Sequence, residues 1–183
     1  INFSNFLDGL DGLLAGCMTS MIATASIFLF APWSTWAIVG SLLGFLLWNW
    51  SPAKVFMGDV GSTFLGSVFS ILVLQAGSWH DSLSLFLLGT PLWADASFCV
   101  LRRLFAGQRV FQAHRLHLFQ RLHQAGWSHS KVSLTYIAAT AALSFALLAG
   151  GLPWVVFLAV IECCVAAWLD QRVAIPFVLA SKS

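Results

Sequence analysis

The chain has 183 residues, 59% of them hydrophobic, with nine Lys/Arg, seven Asp/Glu and a formal net charge of +2; its mean hydropathy is +0.86. A soluble domain carries about a quarter charged residues, so the deficit excludes an ordinary globular domain and a disordered segment, and the small net charge excludes a nucleic-acid binder, which needs a phosphate-neutralising basic stripe. The expected solvent is the lipid bilayer.

The apolar runs are continuous, with no polar residue at every second position, which excludes an outer-membrane barrel and predicts an all-α, polytopic transmembrane helix bundle. Six spans are expected, over residues 12–31, 36–50, 61–78, 83–104, 132–150 and 153–170. They leave room for a single integral-membrane domain, residues 1–183, with one extensive loop, an interfacial arm over residues 105–131.

The chain opens with INFSNFLDGLDGL, in which Asn2, Asn5, Asp8 and Asp11 recur at every third residue. That spacing lines them along one helical face, or one edge of a broken helix, at the mouth of the first span. A plain Asp-Gly turn with Asp8 or Asp11 as a helix cap is the simpler reading. A cap needs one acid, however, and two acids with two amides point to a ligand-binding edge.

Spans two and three are joined by NWSPAKVFMGDVGS, residues 49–62. Pro52 stops one helix and Gly58 and Gly61 allow close backbone approach. Ser62 stands near the start of the next helix, whose free N–H groups and dipole favour an anion such as phosphate. No Walker A pattern is present, and Gly-Asp-x-Gly-Ser alone reads equally as a capped helix start. The two segments together say more, because Asp8, Asp11 and Asp59 converge on one membrane face in a chain with only seven acidic residues. Carboxylates gathered at a low-dielectric boundary repel unless a proton or cation intervenes. A hard cation with oxygen ligands, Mg²⁺ or alternatively Mn²⁺, is the natural partner, with Asn5 adding a neutral oxygen and substrate phosphates completing the shell.

Span four contains Asp95, four residues after Pro91. Pro91 is expected to kink the span and Asp95 to face the bundle interior, since an acid on the lipid side is costly. A structural partner, an Arg or a backbone group, is expected ahead of catalysis. The arm that follows carries four of the five histidines. Leu116, Leu118, Phe119 and Leu122 form an apolar stripe against Arg115, Arg121 and His123, as in a short interfacial helix ended by Gly126. His114 and His117 lie three apart, but the spacing offers no clear third and fourth zinc ligand. The arm therefore reads as an Arg/His anion-binding element over the acidic site, with a lipid-headgroup anchor as the alternative. Cys17, Cys99, Cys163 and Cys164 fall inside spans without CxxC or zinc spacing, so packing residues are expected rather than disulfides.

Threading the six spans puts Lys54, Arg102, Arg103, Arg109, Arg115, Arg121, Lys131, Arg172 and Lys182 on one side, which the positive-inside rule makes cytoplasmic. The opposite turns are short, lack Lys and Arg, and are flanked by Trp33, Trp36, Trp79 and Trp154, as in an interfacial aromatic belt.

NxxNFLDGLDGL, followed by NWSPAKVFMGDVGS and then by the HRLHLFQRL arm, resembles the bacterial polyprenyl-phosphate N-acetylhexosamine-1-phosphate transferases. This superfamily includes the translocase of peptidoglycan synthesis and the enzymes that initiate O-antigen and enterobacterial common antigen assembly; the arm is most similar to the O-antigen-initiating branch. The resemblance implies transfer of N-acetylhexosamine-1-phosphate from a UDP-N-acetylhexosamine to undecaprenyl phosphate, with release of UMP, the start of a cell-envelope polysaccharide and Mg²⁺ as cofactor. It implies a multi-pass protein of the bacterial inner membrane with its active site on the cytoplasmic face, and leaves a homodimer open.

The same resemblance makes Asp59 the main metal ligand, with Asn5 and Asp8 beside it, and counts Asp59, Asp8 and His117 as catalytic. Asp11, Asn49 and Phe56 are implied to form the nucleoside pocket, Phe56 stacking on the uracil. Lys54, on the loop between spans two and three, and Ser62, at the following helix start, are also expected to bind substrate. His117 is implied to lie near the diphosphate with Arg115 and Arg121. Phe119 and Gln120 stand where many members have further histidines. The chain begins with Ile1, and the family's upstream spans and adjacent Asp pair have no counterpart in it, so it is expected to be the C-terminal part of a larger transferase and inactive alone. A transporter or lipid-binding scaffold is the alternative class; it places ionisable groups near the midplane, where only Asp95 is expected.

Overall fold

The computed structural model describes residues 1–108 and 114–180, and among these every regular element is an α-helix. A short α1 (Asn2–Phe6) leads through turns into α2 (Leu13–Phe28), and α3 (Trp33–Asn49) returns to the starting end. α4 (Gly58–Leu74) runs out again, and α5 (Trp79–Leu87) with α6 (Thr90–Phe105) comes back as a bent pair. The arm contains α7 (Leu118–Gln124); α8 (His129–Gly150) and α9 (Leu152–Arg172) form a hairpin, and α10 (Phe177–Ala180) closes the described chain. The protein is an all-α membrane helix bundle.

The six expected spans each correspond to an apolar stretch, but they are not six full-length helices. α8 and α9, with 22 and 21 residues, are long and apolar enough to cross a membrane on their own. α2, α3 and α4 have 16, 17 and 17 residues, or about 24–26 Å at the helical rise, short of a hydrocarbon core of about 30 Å. The expected fourth span also differs. The kink expected at Pro91 is a full break: α5 and α6 meet at 77° across Leu88 and Gly89, and Pro91 lies in the first turn of α6. There its missing N–H is no loss, because the first turn has no intrahelical acceptor for it.

Lipid tails are as apolar as the core, so the bundle is held by close packing and polar contacts between helices rather than by a hydrophobic difference. α2 sits at the centre, against α8, α3 and α4, with Leu13, Leu14, Cys17, Met18, Met21 and Ile22 buried. The Ile137 side chain of α8 occupies the space a Cβ on Gly16 would need, and the Ser20 and Ser144 hydroxyls meet at 3.1 Å one turn further on. All four cysteines are free, as expected. Leu47, Leu74, Phe145 and Trp168 project outward. Trp33, Trp79 and Trp154 are exposed at the turns away from the arm, in keeping with an interfacial belt.

Helix starts are set locally. Ser78 Oγ accepts from the Asp81 N–H to open α5, and Ser128 Oγ accepts from the Lys131 N–H to open α8. Neither Asp8 nor Asp11 caps α2; Gly12 holds that position with φ +74°, a left-handed conformation that suits glycine. Among the basic residues assigned to the arm side, Arg109 and Lys182 lie outside the described residues.

Candidate active site

The two motif segments meet at the end of the bundle that carries the arm. α1 packs on the start of α4, closely enough that Ser4 and the Ile1 backbone fill the space beside Gly66. This contact aligns Asn5 with the first turn of α4, where the Ser62 hydroxyl donates to Asn5 Oδ1 at 2.9 Å. Ser62 is fully buried, and its hydroxyl also reaches the Asp59 carbonyl at 3.2 Å. It therefore braces the site from behind. Asp59 itself is exposed in that first turn.

Asp8 joins them from the turn after α1. Its carboxyl accepts a hydrogen bond from the Gly58 backbone, which favours ionisation, but burial first and the neighbouring Asp59 carboxylate second raise it above the ordinary aspartate range. Two carboxylates that disfavour each other's charge, with an amide oxygen beside them, form a hard, oxygen-only donor set. That chemistry fits Mg²⁺.

Asn49 and Asp11 act as clasps between the two loops. The Gly12 N–H donates to Asn49 Oδ1 at 3.0 Å, and Asn49 Nδ2 donates to the Val55 carbonyl at 2.9 Å. Asn49 is buried, and both ends of its amide are occupied by backbone. Asp11 Oδ2 accepts from the Ala53 N–H at 3.2 Å and lies 3.1 Å from His129 Nδ1. The Asp11 carbonyl accepts from Ser133 Oγ at 2.7 Å. His129 and Ser133 escaped the sequence reading because they belong to α8, far along the chain, and no spacing links them to Asp11. The clasped loop presents Phe56, 74% exposed, and Lys54, whose ammonium stands 5.4 Å from the Trp48 ring centre.

The arm reaches this site through aromatic packing. The Phe119 ring lies against Gly9, about where a Cβ would be crowded at 3.2 Å, and the His117 ring stacks with Phe6 at 6.4 Å between centroids. His117 is buried. Arg121 is buried too, and its guanidinium donates to the Leu116 carbonyl, the Ile175 carbonyl and the Asp170 carboxylate. In place of an open gripping group, Arg121 is a strut from the arm to the end of α9. Arg115 is exposed. The arm's His114 is pushed down to about 4, first by burial and then by the positive neighbours His117 and Arg103, against a smaller pull from Asp95.

Asp95 has backbone partners, one of the two kinds expected. Its Oδ1 accepts from the Leu118 N–H at 2.7 Å, and its Oδ2 accepts from the Phe119 N–H at 3.2 Å and from the Tyr136 hydroxyl at 2.8 Å. A carboxylate on α6 thus supplies the N-terminal cap of α7.

Residues 1–77 match the family described as glycosyl transferase family 4. The chain is 35% identical over 141 residues to the probable undecaprenyl-phosphate N-acetylglucosaminyl 1-phosphate transferase of Bacillus subtilis, covering 70% of this chain and 38% of that protein. It is 33% identical over 144 residues to the phospho-N-acetylmuramoyl-pentapeptide-transferase of Lactiplantibacillus plantarum, covering 74% and 43%. The transferase of the same name from Halalkalibacterium halodurans is 35% identical over 160 residues, covering 81% and 46%. The chain thus spans less than half the length of these relatives. No solved structure matches. Over residues 1–77, the stretch that carries both motif loops, the chain is thus similar to glycosyl transferase family 4, and over most of its length to part of these transferases.

Proposed function

We propose that this chain forms the donor- and metal-binding part of a membrane enzyme that transfers N-acetylhexosamine-1-phosphate from a UDP-sugar to undecaprenyl phosphate, releasing UMP and starting a cell-envelope polysaccharide. The observation that carries the reading is the Asp8 and Asp59 pair with the Asn5 oxygen, set beside a clasped loop that exposes an aromatic ring. The site belongs on the cytoplasmic face of the bacterial inner membrane, where the basic residues gather.

Asp59, Asp8 and Asn5 would hold Mg²⁺, which supplies charge neutralisation at the diphosphate. Phe56 offers its open face to the uracil, and the Asp11 and Asn49 clasps keep the loop bearing it in place. Lys54 and Arg115 are exposed cations at this end and suit phosphate oxygens. A lipid-phosphate oxygen attacks the sugar-linked phosphorus while the bond from that phosphorus to the UMP oxygen breaks, and UMP leaves with the electron pair. The lipid phosphate is already largely ionised at neutral pH, so positioning and charge neutralisation rather than a protein base carry the step.

The test is direct. Membranes containing the full-length protein, labelled UDP-N-acetylhexosamines and undecaprenyl phosphate should release UMP and form a lipid-linked sugar in a Mg²⁺-dependent manner. Absence of both products with every N-acetylhexosamine donor overturns the proposal.

A further inference from the structure

A second group of ligating side chains, different in donor set from the oxygen-lined acidic site, lies where the arm meets α6. Cys99 on α6 and His114 and His117 on the arm each present one ligating atom, and the three atoms lie within 4.8 Å of one another. Cys99 Sγ is 4.0 Å from His114 Nδ1, and the two imidazole rings have their centres 4.9 Å apart. His117 is 2% exposed, and its Nδ1 lacks a hydrogen-bond partner while standing 3.6 Å from Asp95 Oδ1. A buried ring nitrogen without a partner is destabilising. Placed next to a second imidazole and a thiol, it is half of a familiar arrangement: a metal-bound histidine gives its other ring N–H to a carboxylate, which fixes the tautomer.

We propose that Cys99, His114 and His117 bind one thiophilic transition-metal ion, with zinc the ordinary occupant, and that Asp95 orients the His117 ring by accepting from its other nitrogen. The donor set is one sulfur and two imidazole nitrogens, which suits zinc and disfavours Mg²⁺. Tetrahedral zinc with bonds of about 2.0–2.3 Å keeps its ligands about 3.3–3.8 Å apart, so the cluster closes on an ion with a movement of about 1 Å. His114 makes it from a non-helical part of the arm, giving up the 3.3 Å hydrogen bond that its Nδ1 accepts from the Leu116 N–H. Asp95 is already aimed by the Leu118 and Phe119 N–H groups and the Tyr136 hydroxyl. Three protein ligands leave a fourth position for water. The ion fastens the arm to α6 just ahead of α7, at the point where His117 meets Phe6 of the first motif. The spacing in the sequence shows only two of these ligands; the third comes from another helix.

The full chain, purified tag-free in detergent micelles, is titrated with Co²⁺ as a spectroscopic stand-in, and its zinc content as purified is measured by elemental analysis. The expected result is one zinc per chain, displaced by cobalt with a thiolate-to-cobalt charge-transfer band and tetrahedral d–d bands. Cys99→Ser abolishes the charge-transfer band, and Cys163→Ser leaves it. His114→Gln, on a partly exposed arm position, weakens cobalt binding by more than the roughly 10- to 100-fold typical of losing a group that only hydrogen-bonds to a ligand. No charge-transfer band in the wild-type chain, an unchanged band in Cys99→Ser, or unchanged cobalt affinity in folded His114→Gln each overturns the proposal. None of these readouts involves sugar-phosphate transfer, so the metal site and the proposed activity can fail independently.

Discussion

Asp8 links the chemistry of the site to pH. Its folded value lies above the 3.8 of a free aspartate, through burial and then the Asp59 charge. Divalent-cation binding requires both carboxylates ionised, so Mg²⁺ affinity, followed by calorimetric titration of the chain, should fall as pH drops through the raised Asp8 value. Without cation the same shift acts on stability in the opposite direction. The folded state holds the Asp8 proton more tightly than the unfolded chain, so its contribution is fully present below 3.8 and is lost as pH rises through the folded value. Thermal stability in EDTA should therefore decline across that window, and Mg²⁺ should restore it. Asp59→Asn removes the repulsive neighbour. The variant should be at least as stable as wild type in EDTA, should lose the Mg²⁺ response, and in the full-length protein should lose turnover by about 10²–10³-fold or more. Wild-type activity at saturating Mg²⁺ would show that Asp59 is not the main ligand.

At the level of elements, α7 is too short to be stable alone and owes its place to two outside contacts. Asp95 accepts its first two N–H groups, and Arg121 ties it to Asp170 at the end of α9. Asp95→Ala leaves two buried N–H groups and the Tyr136 hydroxyl without an acceptor, a loss of about 2–5 kcal/mol. Asp95→Asn retains an acceptor and should cost less. The order Ala worse than Asn is checked by proteolysis of the arm and by thermal unfolding in detergent. Arg121→Ala leaves Asp170 still paired with Arg102 but removes the donor to the Leu116 and Ile175 carbonyls, and should destabilise by about 1–3 kcal/mol. Arm protection should drop, and affinity for both substrates should change together. If only the donor KM rises while the arm stays protected, Arg121 contacts the donor after all.

For the whole molecule, the chain spans less than half of its relatives, and the acidic site lies at one end of a bundle whose central helix is α2. Loops 7–12 and 49–57 are clasped within this chain by Asn49 and Asp11. The purified chain should therefore bind UMP weakly but transfer no sugar phosphate, with binding lost in Phe56→Ala. Transfer by the purified chain, free of host enzyme, would show that residues 1–183 hold everything the reaction needs.

Hydropathy by itself determined the membrane environment, the all-helical class and the number of apolar stretches, because a bilayer allows a continuous apolar run little choice but to be helical. The motif acids were legible too, since Asp8, Asp11 and Asp59 stand out among so few charges. Helix length was not, because Gly89 and the polar motif loops unwind residues whose apolar character suggested a continuous span. Contacts between distant segments were decided only by the tertiary structure. Arg121 looked like an exposed cation until Asp170 and Ile175 enclosed it, Asp95 found its partners in the arm, and Cys99 came to lie beside two histidines. Each depends on a side chain from another helix, and the packing that brings them together leaves no periodic trace in either segment.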